Sequence, residues 1–179
     1  HPGPFLKALQ NDPVQQAASA YMLFLVQADA AAQLAADDFA QLFGFLRGDD
    51  QQLSGTHSLA AKAAPWLSPA MEDRYRHVWR QGLDSSLNYY RASPLRPASE
   101  TEDLISGMVL PPEILRIEVP TLVLWAQDDI ALGPGLTLGL DQHIPDLKIV
   151  PIDKATHWVV HEQPQRVISE ISHFLTPAQ

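Results

Sequence analysis

Two acidic residues and a histidine follow two compact apolar runs of the sequence. Asp128 and Asp129 come directly after the run 119–125, and His157 comes shortly after the run 147–152. A carboxylate that accepts a hydrogen bond from one nitrogen of a histidine ring fixes the tautomer of the ring and leaves the other nitrogen as a base. Residues of these types in this order therefore predict an orienting pair for proton abstraction, with one of the two aspartates as its acid.

Both apolar runs predict buried strands of a parallel sheet, because continuous valine, isoleucine and leucine without alternation suits strands that are covered on both faces. The segment between them, residues 133–143, predicts a crossover helix. Reactive groups in open α/β sheets lie just beyond the carboxyl ends of the strands. We therefore expect the acid and His157 to meet at that edge of the sheet.

The composition and charge of the chain argue against several other classes of function. The 179 residues have an ordinary globular composition and a formal net charge of −9 without a basic cluster, so nucleic acid and anionic membranes are poor partners. The absence of cysteine excludes disulfides and thiolate metal sites. No apolar run approaches the length of a membrane span and no signal peptide is visible, which predicts a soluble, cytoplasmic protein and leaves secretion open.

The middle of the sequence predicts helices only. Ser68 and Pro69 form a strong helix start, since a hydroxyl caps the first turn and proline at the first helical position loses no hydrogen bond. His57 has no partner in the local sequence and is interpreted as a surface residue. The predicted elements are helices at 12–29, at 37–46 with Asp37 or Asp38 as its cap and Gly48 as its end, at 59–66, 68–82 and 83–91, a loop at 51–58, and a final helix that Pro164 begins.

The part of the sequence from 118 to 174 carries several motifs in a fixed order: AQDDIAL after the first strand, HIPDLKIV at the second, then ATHW, HEQP and the last helix. This order resembles the C-terminal part of an α/β-hydrolase, closest to the branch of the epoxide hydrolases and haloalkane dehalogenases, in which an acid and then a histidine follow the nucleophile. The resemblance implies an α/β fold: the C-terminal part of the parallel sheet of an α/β-hydrolase, with an all-helical cap inserted into it.

The resemblance also implies how the chain is divided. Residues 1–14 would be a connector from the core, 15–99 the helical cap or lid, and 100–179 the C-terminal part of the core. The opening tract His1-Pro-Gly-Pro-Phe5, interpreted as a loop, resembles the segment that leads into the cap in this family, so the N-terminal strands and the nucleophile are expected to be missing from this chain. No Gly-x-Asp-x-Gly or Gly-x-Ser-x-Gly elbow occurs in it. Association with the missing N-terminal half, or a homodimer, is the expected partnership.

Two tyrosines of the helical region relate the chain to the epoxide hydrolases. The segment SAYMLFLVQADAA, which contains Tyr21, resembles their first cap motif, and LNYYRA resembles their second, which gives Tyr90 and leaves its neighbour Tyr89 open as the inward residue. The resemblance implies that Tyr21 and Tyr90 hold and protonate the oxygen of an epoxide. A phenol, with a pKa of about 10, remains a donor at neutral pH and can still stabilise an alkoxide-like oxygen.

The resemblance assigns the remaining residues near the histidine. Asp129 matches the acid of the family because it precedes Ile-Ala-Leu, so Asp128 is interpreted as a turn residue. Thr156 takes the place of a glycine that is usual before the histidine. His161 is interpreted as a surface residue and not as a metal ligand, since no third ligand lies within sequence reach.

The reaction implied by the resemblance is hydrolysis of a small apolar epoxide by water to a diol, through an aspartyl-ester intermediate and without a metal or an organic cofactor. Asp129 and His157 would activate the water. Three alternatives stay open: a haloalkane or haloacetate dehalogenase, an esterase with a serine nucleophile, and a non-catalytic relative of the hydrolases. The chain by itself would be an inactive fragment without its nucleophile.

Overall fold

The computed structural model of the protein describes residues 1–47 and 64–176. Of the predicted helix at 59–66, only residues 64–66 are described, and they form no helix. Three further predicted features lie outside the described residues: the helix end at Gly48, the loop at 51–58, and His57.

The described residues form helices and one small parallel sheet. The helices are α1 (Pro2–Asn11), α2 (Pro13–Ala18), α3 (Tyr21–Leu25), α4 (Ala30–Arg47), α5 (Pro69–Trp79), α6 (Asp84–Ala92), α7 (Pro112–Leu115), α8 (Val159–Glu162) and α9 (Pro164–Leu175). The strands are β1 (Thr121–Ala126) and β2 (Leu147–Ile152). Within the described ranges, no helix has both the length and the apolar character that crossing a membrane requires.

The chain divides into two compact units. The sheet unit comprises His1–Ala8 and Val109–Gln179, and the helical unit comprises Leu9–Met108. The division falls inside α1, whose first residues belong to the sheet unit and whose last residues belong to the helical unit. The predicted domain bounds at residues 14 and 99, and with them the interpretation of the helical unit as a cap, stay a prediction.

The two strands of the sheet unit pair in parallel, as predicted. Thr121 pairs with Leu147 at one end of the ladder, and Ala126 pairs with Ile152 at the other. The strand β1 begins at Thr121 because Pro120, the residue before it, has no N–H group to donate. Since the pairing is parallel, both strands end at the same edge of the sheet.

The prediction that both strands are buried on both faces is wrong for most of their length. Only Ala126 and Ile152, the last residue of each strand, are buried, and Ile149 is 39% exposed. The helix α9 packs against β1, and the other strand residues remain partly or largely exposed. A buried cluster of the sheet unit lies at the carboxyl ends of the strands and consists of Ala126, Ile152 and Ala155. Three partly buried apolar side chains pack against it: Leu124, Val159 and Val167.

The predicted crossover helix at 133–143 is wrong: two short 3₁₀ helices, Pro134–Thr137 and Leu140–Gln142, take its place. Gly139 lies between them with a φ of 75°, in the left-handed region, where a right-handed helix cannot continue. Leu140 is nevertheless buried, so the segment still contributes an apolar side chain to the interior of the sheet unit.

The first residues form a helix where the sequence predicted a loop. Pro2 is the first residue of α1, and Pro4 lies within its first turn. The N–H groups of the first turn have no partner inside a helix, so proline there removes no hydrogen bond. The prolines that suggested a loop are therefore compatible with a helix start.

The predicted helix at 12–29 consists of two shorter helices. The side chain of Asp12 accepts a hydrogen bond from the N–H of Val14 at 2.9 Å and so caps α2. The chain then turns at Ser19 before α3 begins. The apolar spacing continues across this turn, so periodicity alone could not reveal it.

The predicted helix at 37–46 begins earlier, at Ala30, and it is kinked. Asp37, Asp38 and Phe39 have φ values of 49°, 54° and 67°, so the two aspartates lie in the kink and do not cap a helix. Arg76, in the last turn of α5, and Arg80, just after it, each bind the carboxylate of Asp38 with an N–O distance of 2.8 Å. These ion pairs stabilise the kink from a distant part of the sequence.

The other predicted helices are confirmed. The helix α5 begins at Pro69, and the hydroxyl of Ser68 accepts a hydrogen bond from the N–H of Met71 at 3.3 Å. The helix α6 matches the predicted helix at 83–91 to within one residue at each end. The helix α9 begins at Pro164.

Candidate active site

Asp129 lies just beyond the carboxyl end of β1, in a turn that its own side chain stabilises. Its Oδ1 accepts hydrogen bonds from the N–H groups of Ala131 at 2.9 Å and Leu132 at 3.0 Å. Such bonds to backbone a few residues further on are typical of an aspartate that begins a turn. The side chain is only 10% exposed. Oδ1 is thereby engaged by the backbone, and Oδ2 is left for another partner.

His157 lies beyond the carboxyl end of β2 and contacts that second oxygen. Its Nδ1 is 2.9 Å from Oδ2 of Asp129, in a hydrogen bond that the ring N–H donates. With the proton on Nδ1, the lone pair of Nε2 is available as a base. The imidazole side chain is 41% exposed, so water can reach the ring. The structure thus brings the two residues into the arrangement that an oriented general base requires.

The pKa of His157 is raised above its ordinary value. The hydrogen bond with Asp129 is the largest cause, because it stabilises the protonated ring. Burial opposes it by disfavouring the charged ring, and the attraction between imidazolium and carboxylate adds to it. His157 therefore binds a proton more readily than a free histidine, and it must be neutral before it can act as a base.

Backbone hydrogen bonds continue the strand pairing beyond the sheet and connect the loops of the two residues. The N–H of Gln127 donates to the carbonyl of Ile152 at 3.0 Å, and the N–H of Asp128 donates to the carbonyl of Ala155 at 2.9 Å. Lys154 has a φ of 56°, which bends the chain after β2. Asp128 therefore lies in the turn and links the two loops through its backbone.

A further carboxylate, that of Glu162, binds the residue before the histidine. Its Oε2 accepts the N–H of Thr156 at 2.7 Å, and its Oε1 accepts the hydroxyl of Thr156 at 2.8 Å. The side chain of Gln163 donates to the carbonyl of Asp153 at 2.8 Å and so holds the start of the same loop. Sequence reasoning assigned no role to Glu162. The signal that could have identified it is a carboxylate in the HEQP motif, close behind a histidine that a hydroxyl residue precedes.

In the helical unit, Tyr21 and Tyr90 lie together. Tyr21 begins α3 and Tyr90 belongs to α6, and their ring centroids are 6.2 Å apart with the rings inclined at 78°. Tyr89 is 82% exposed, whereas Tyr90 is partly buried. Of the two neighbouring tyrosines, Tyr90 is therefore the one that contacts Tyr21.

Ring packing and one arginine hold the tyrosine pair. The ring of Phe45, in α4, has its centroid 6.0 Å from that of Tyr21. Arg91 donates from Nη2 to the carbonyl of Gln27 at 3.3 Å and so links α6 with the segment after α3. An edge-to-face arrangement is favoured between aromatic rings, and here it brings two phenol groups from different helices into one place.

His161, which the sequence predicts to be a surface residue, lies in α8 and is partly buried. In residues 1–47 and 64–176, no group of three histidine, cysteine, aspartate or glutamate side chains is arranged to hold a metal ion. His161 therefore belongs to no metal-binding cluster of the described part of the chain.

The sequence is similar to known proteins over a little more than half of its length, although no protein-family model matches it. The AB hydrolase superfamily protein YfhM of Bacillus subtilis is 32% identical over 104 residues, which are 57% of this chain and 32% of that protein. Epoxide hydrolase 2 of Caenorhabditis elegans is 30% identical over 104 residues, 56% of this chain and 26% of that protein. The cis-3-alkyl-4-alkyloxetan-2-one decarboxylase of Shewanella oneidensis is 24% identical over 96 residues, 53% of this chain and 30% of that protein. The aligned residues thus cover well under half of each relative's sequence.

Solved structures resemble nearly the whole chain. A crystal structure of Bacillus megaterium epoxide hydrolase in complex with an inhibitor has a TM-score of 0.77 and 25% sequence identity, over 98% of this chain and 57% of that one. A structure of epoxide hydrolases of the α/β-hydrolase superfamily, from metagenomes of hot environments, has a TM-score of 0.73 and 30% identity, over 99% of this chain and 57% of that one. The chain therefore spans little more than half the length of these enzymes.

Proposed function

We propose that this chain, which is similar in sequence and in fold to part of the α/β-hydrolases, supplies the general base, its orienting acid and the oxygen-binding tyrosines of an epoxide hydrolase. The enzyme would add water to a small apolar epoxide and release a diol. The chain contains no Gly-x-Asp-x-Gly or Gly-x-Ser-x-Gly elbow, so the nucleophilic aspartate of the proposed reaction lies outside these residues.

In the first step of the proposed reaction, the aspartate attacks a carbon of the epoxide ring and the bond from that carbon to the oxygen breaks. Negative charge develops on the oxygen, and Tyr21 and Tyr90 donate hydrogen bonds to it. One of the two phenols then gives its proton to the oxygen, which leaves an ester between the aspartate and the opened substrate. A phenol is suited to this task because it remains protonated at neutral pH.

In the second step, His157 acts as the base. Its Nε2 takes a proton from water while the water oxygen attacks the ester carbonyl, and the carboxylate of Asp129 stabilises the imidazolium that forms. The bond between the ester carbonyl carbon and the substrate oxygen then breaks, the substrate oxygen takes the second proton of the water, and the diol leaves with the aspartate restored as a carboxylate. The proton that His157 has taken up replaces the one that the tyrosine gave away, so the two steps together add one water to the epoxide.

The observation that carries the epoxide assignment is the approach of Tyr21 and Tyr90 to 6.2 Å between ring centroids. The pair of Asp129 and His157 does not distinguish the alternatives, because a dehalogenase or an esterase would use it in the same way. A strained cyclic ether needs phenols because its leaving oxygen must be protonated, whereas a halide leaves as an anion. The epoxide hydrolases among the similar structures support the same assignment.

The assignment is tested by following diol formation from an epoxide with the protein that carries this chain together with the proposed nucleophile. We expect Tyr90→Phe and Tyr21→Phe each to lower kcat for ring opening by about 10²-fold or more, since general acid catalysis contributes on the order of 10²–10⁴-fold. Tyr89→Phe is the matched control, because it makes the same change at an exposed ring, and it should retain full activity. Halide release from a haloalkane, with no diol from any epoxide, would favour a dehalogenase instead.

A single turnover in ¹⁸O-labelled water tests the ester intermediate. If water attacks the ester carbonyl, the diol of the first turnover contains only the oxygens of the epoxide and of the unlabelled aspartate, and the label enters the protein. Label in the diol of that first turnover would mean that water attacks the epoxide directly, and the ester step would be wrong.

A further inference from the structure

Thr156, which precedes His157, is buried, and each of its polar groups has a partner. Its N–H and its hydroxyl donate to the two oxygens of the Glu162 carboxylate, at 2.7 Å and 2.8 Å. Its carbonyl accepts the N–H of Val159 at 3.1 Å. Buried polar groups that lose their partners destabilise a structure, so this set of bonds defines one conformation for residue 156.

The hydroxyl of Thr156 also contacts the backbone on the other side of the histidine. Its oxygen accepts a hydrogen bond from the N–H of Trp158 at 3.3 Å. The residues before and after His157 are therefore joined through one hydroxyl, and Glu162 orients that hydroxyl. Because the backbone is held on both sides of His157, the direction of its side chain is restricted, and with it the approach of Nδ1 to Asp129.

Glu162 is itself anchored to the loop that it binds. It is the last residue of α8, and its N–H donates to the carbonyl of Trp158 at 3.1 Å. The next residue, Gln163, binds the carbonyl of Asp153. A glycine in place of Thr156 would retain only the two bonds of the backbone, from its N–H to Glu162 and to its carbonyl from Val159. The threonine side chain therefore adds two of the contacts that hold this loop.

We propose that Thr156 and Glu162 form a positioning clamp for His157: the carboxylate, through two hydrogen bonds to the preceding residue, keeps the imidazole in line with Asp129. Neither residue of the clamp touches the substrate, and both act through the histidine. The importance of the clamp for catalysis rests on the proposed function, whereas its geometry belongs to the sheet unit alone.

The clamp is tested with the chain itself, by NMR measurement of the His157 pKa and of amide hydrogen exchange. Thr156→Val keeps the shape of the side chain and removes the hydroxyl, and Glu162→Gln keeps the shape and removes one acceptor. In each variant we expect a His157 pKa closer to its ordinary value, and amide exchange at residues 156–158 faster by about five- to tenfold, as for the loss of one hydrogen bond. Thr156→Ser, which retains the hydroxyl, should restore both.

Two matched variants in the same unit separate the clamp from a general loss of stability. Thr137→Val removes a hydroxyl that donates over the same distance, 2.8 Å, to the carbonyl of Pro134. Glu170→Gln removes a carboxylate that pairs with Arg166 at 2.9 Å. Both should leave the pKa of His157 unchanged. An unchanged His157 pKa and unchanged exchange in Thr156→Val and Glu162→Gln would overturn the clamp.

Failure of the clamp and failure of the proposed function give different results. If the pair with Asp129 is present in the unmodified chain but survives both clamp substitutions, only the clamp is wrong. If the clamp behaves as expected but no epoxide is hydrolysed, only the proposed function is wrong. If His157 of the unmodified chain titrates as a free histidine, both are wrong. In a working epoxide assay, the clamp substitutions should lower kcat without raising KM, because they slow hydrolysis of the ester and leave substrate binding unaltered.

Discussion

The sheet unit and the helical unit hold their functional side chains by different forces. In the sheet unit, hydrogen bonds of 2.7 to 2.9 Å fix His157 through Asp129 on one side and Thr156 through Glu162 on the other. In the helical unit, ring packing holds Tyr21, with centroid distances of 6.2 Å to Tyr90 and 6.0 Å to a phenylalanine.

This difference matches what the proposed reaction requires of each unit. Hydrogen bonds are directional and weaken steeply with misalignment, so they define the position of a base narrowly. Aromatic packing tolerates several ring arrangements of similar energy, so the phenols can adjust. A base that activates one water benefits from a fixed position, whereas donors to the epoxide oxygen must follow it as the ring opens.

The largest expected effect comes from removing the base. His157→Ala should lower kcat for complete hydrolysis by about 10³-fold or more, because the ester has lost the group that activates its water. The tyrosines are unchanged, so ring opening should still occur once, and the protein should gain the mass of one substrate. Mass spectrometry of the intact protein measures that gain. Normal diol release without an adduct would show that His157 is not the base.

The pH dependence of hydrolysis should be set by the titration of His157, which belongs to the sheet unit. His157 must be neutral to act, so its raised pKa places the acidic limb of kcat above the ordinary histidine value of about 6.5. Asp129→Asn removes the largest cause of the raised pKa and leaves burial, which lowers it, so the limb should move to lower pH. A pH profile of each protein measures the shift, and a limb that stays in place would mean that another group controls it.

A smaller effect is expected from loosening the ring packing of the helical unit. Phe45→Leu keeps an apolar side chain and removes the ring beside Tyr21. An aromatic pair contributes about 0.5–1.5 kcal/mol beyond burial, so ring opening should slow by roughly two- to tenfold, less than on loss of a phenol. Phe174→Leu makes the same change in α9 and should leave the rate unaltered. Equal rates for Phe45→Leu and the unmodified protein would show that Phe45 does not position Tyr21.

The smallest expected effect is that of Lys154→Gly in the loop after β2. With a φ of 56°, this position is one that glycine adopts without strain. The relief of backbone strain in the folded protein is offset by the greater freedom of glycine in the unfolded chain, so the free energy of unfolding should change by less than ~1 kcal/mol. Urea denaturation measures it. Lys154→Val, which places a β-branched residue in the left-handed region, should be clearly more destabilising, and a similar midpoint for both variants would contradict this explanation.

Features that depend on neighbouring residues could be predicted from the sequence. The strand β2 and the positions of Asp129 and His157 beyond the strands follow from the apolar runs and their ends, and Ser68 with Pro69 defines a helix start by local hydrogen bonding alone. Features that depend on distant contacts could not. The kink at Asp38 is stabilised by arginines about forty positions away in sequence, and the left-handed conformation of Gly139 divides a segment with a helical pattern.

The same distinction applies to the candidate site. Motifs predicted the contact of Asp129 with His157. Asp128 offered the same chemistry, and only the position of Asp129 directly before Ile-Ala-Leu favoured Asp129. The sequence left Tyr89 and Tyr90 open, because two adjacent residues on a helix differ only in which face they occupy, and tertiary packing decides that. Glu162 went unassigned because one of its two bonds to residue 156 comes from a hydroxyl that the usual glycine would not provide.

The most direct test of the proposed base is an NMR titration of His157 in the unmodified chain and in Asp129→Asn. The carboxylate of Asp129 lies 2.9 Å from Nδ1, and its hydrogen bond is the main cause of the raised pKa. We therefore expect a His157 pKa above the ordinary value in the unmodified chain, and one at or below that value in Asp129→Asn. The same, ordinary pKa in both proteins would contradict the pairing of these two residues.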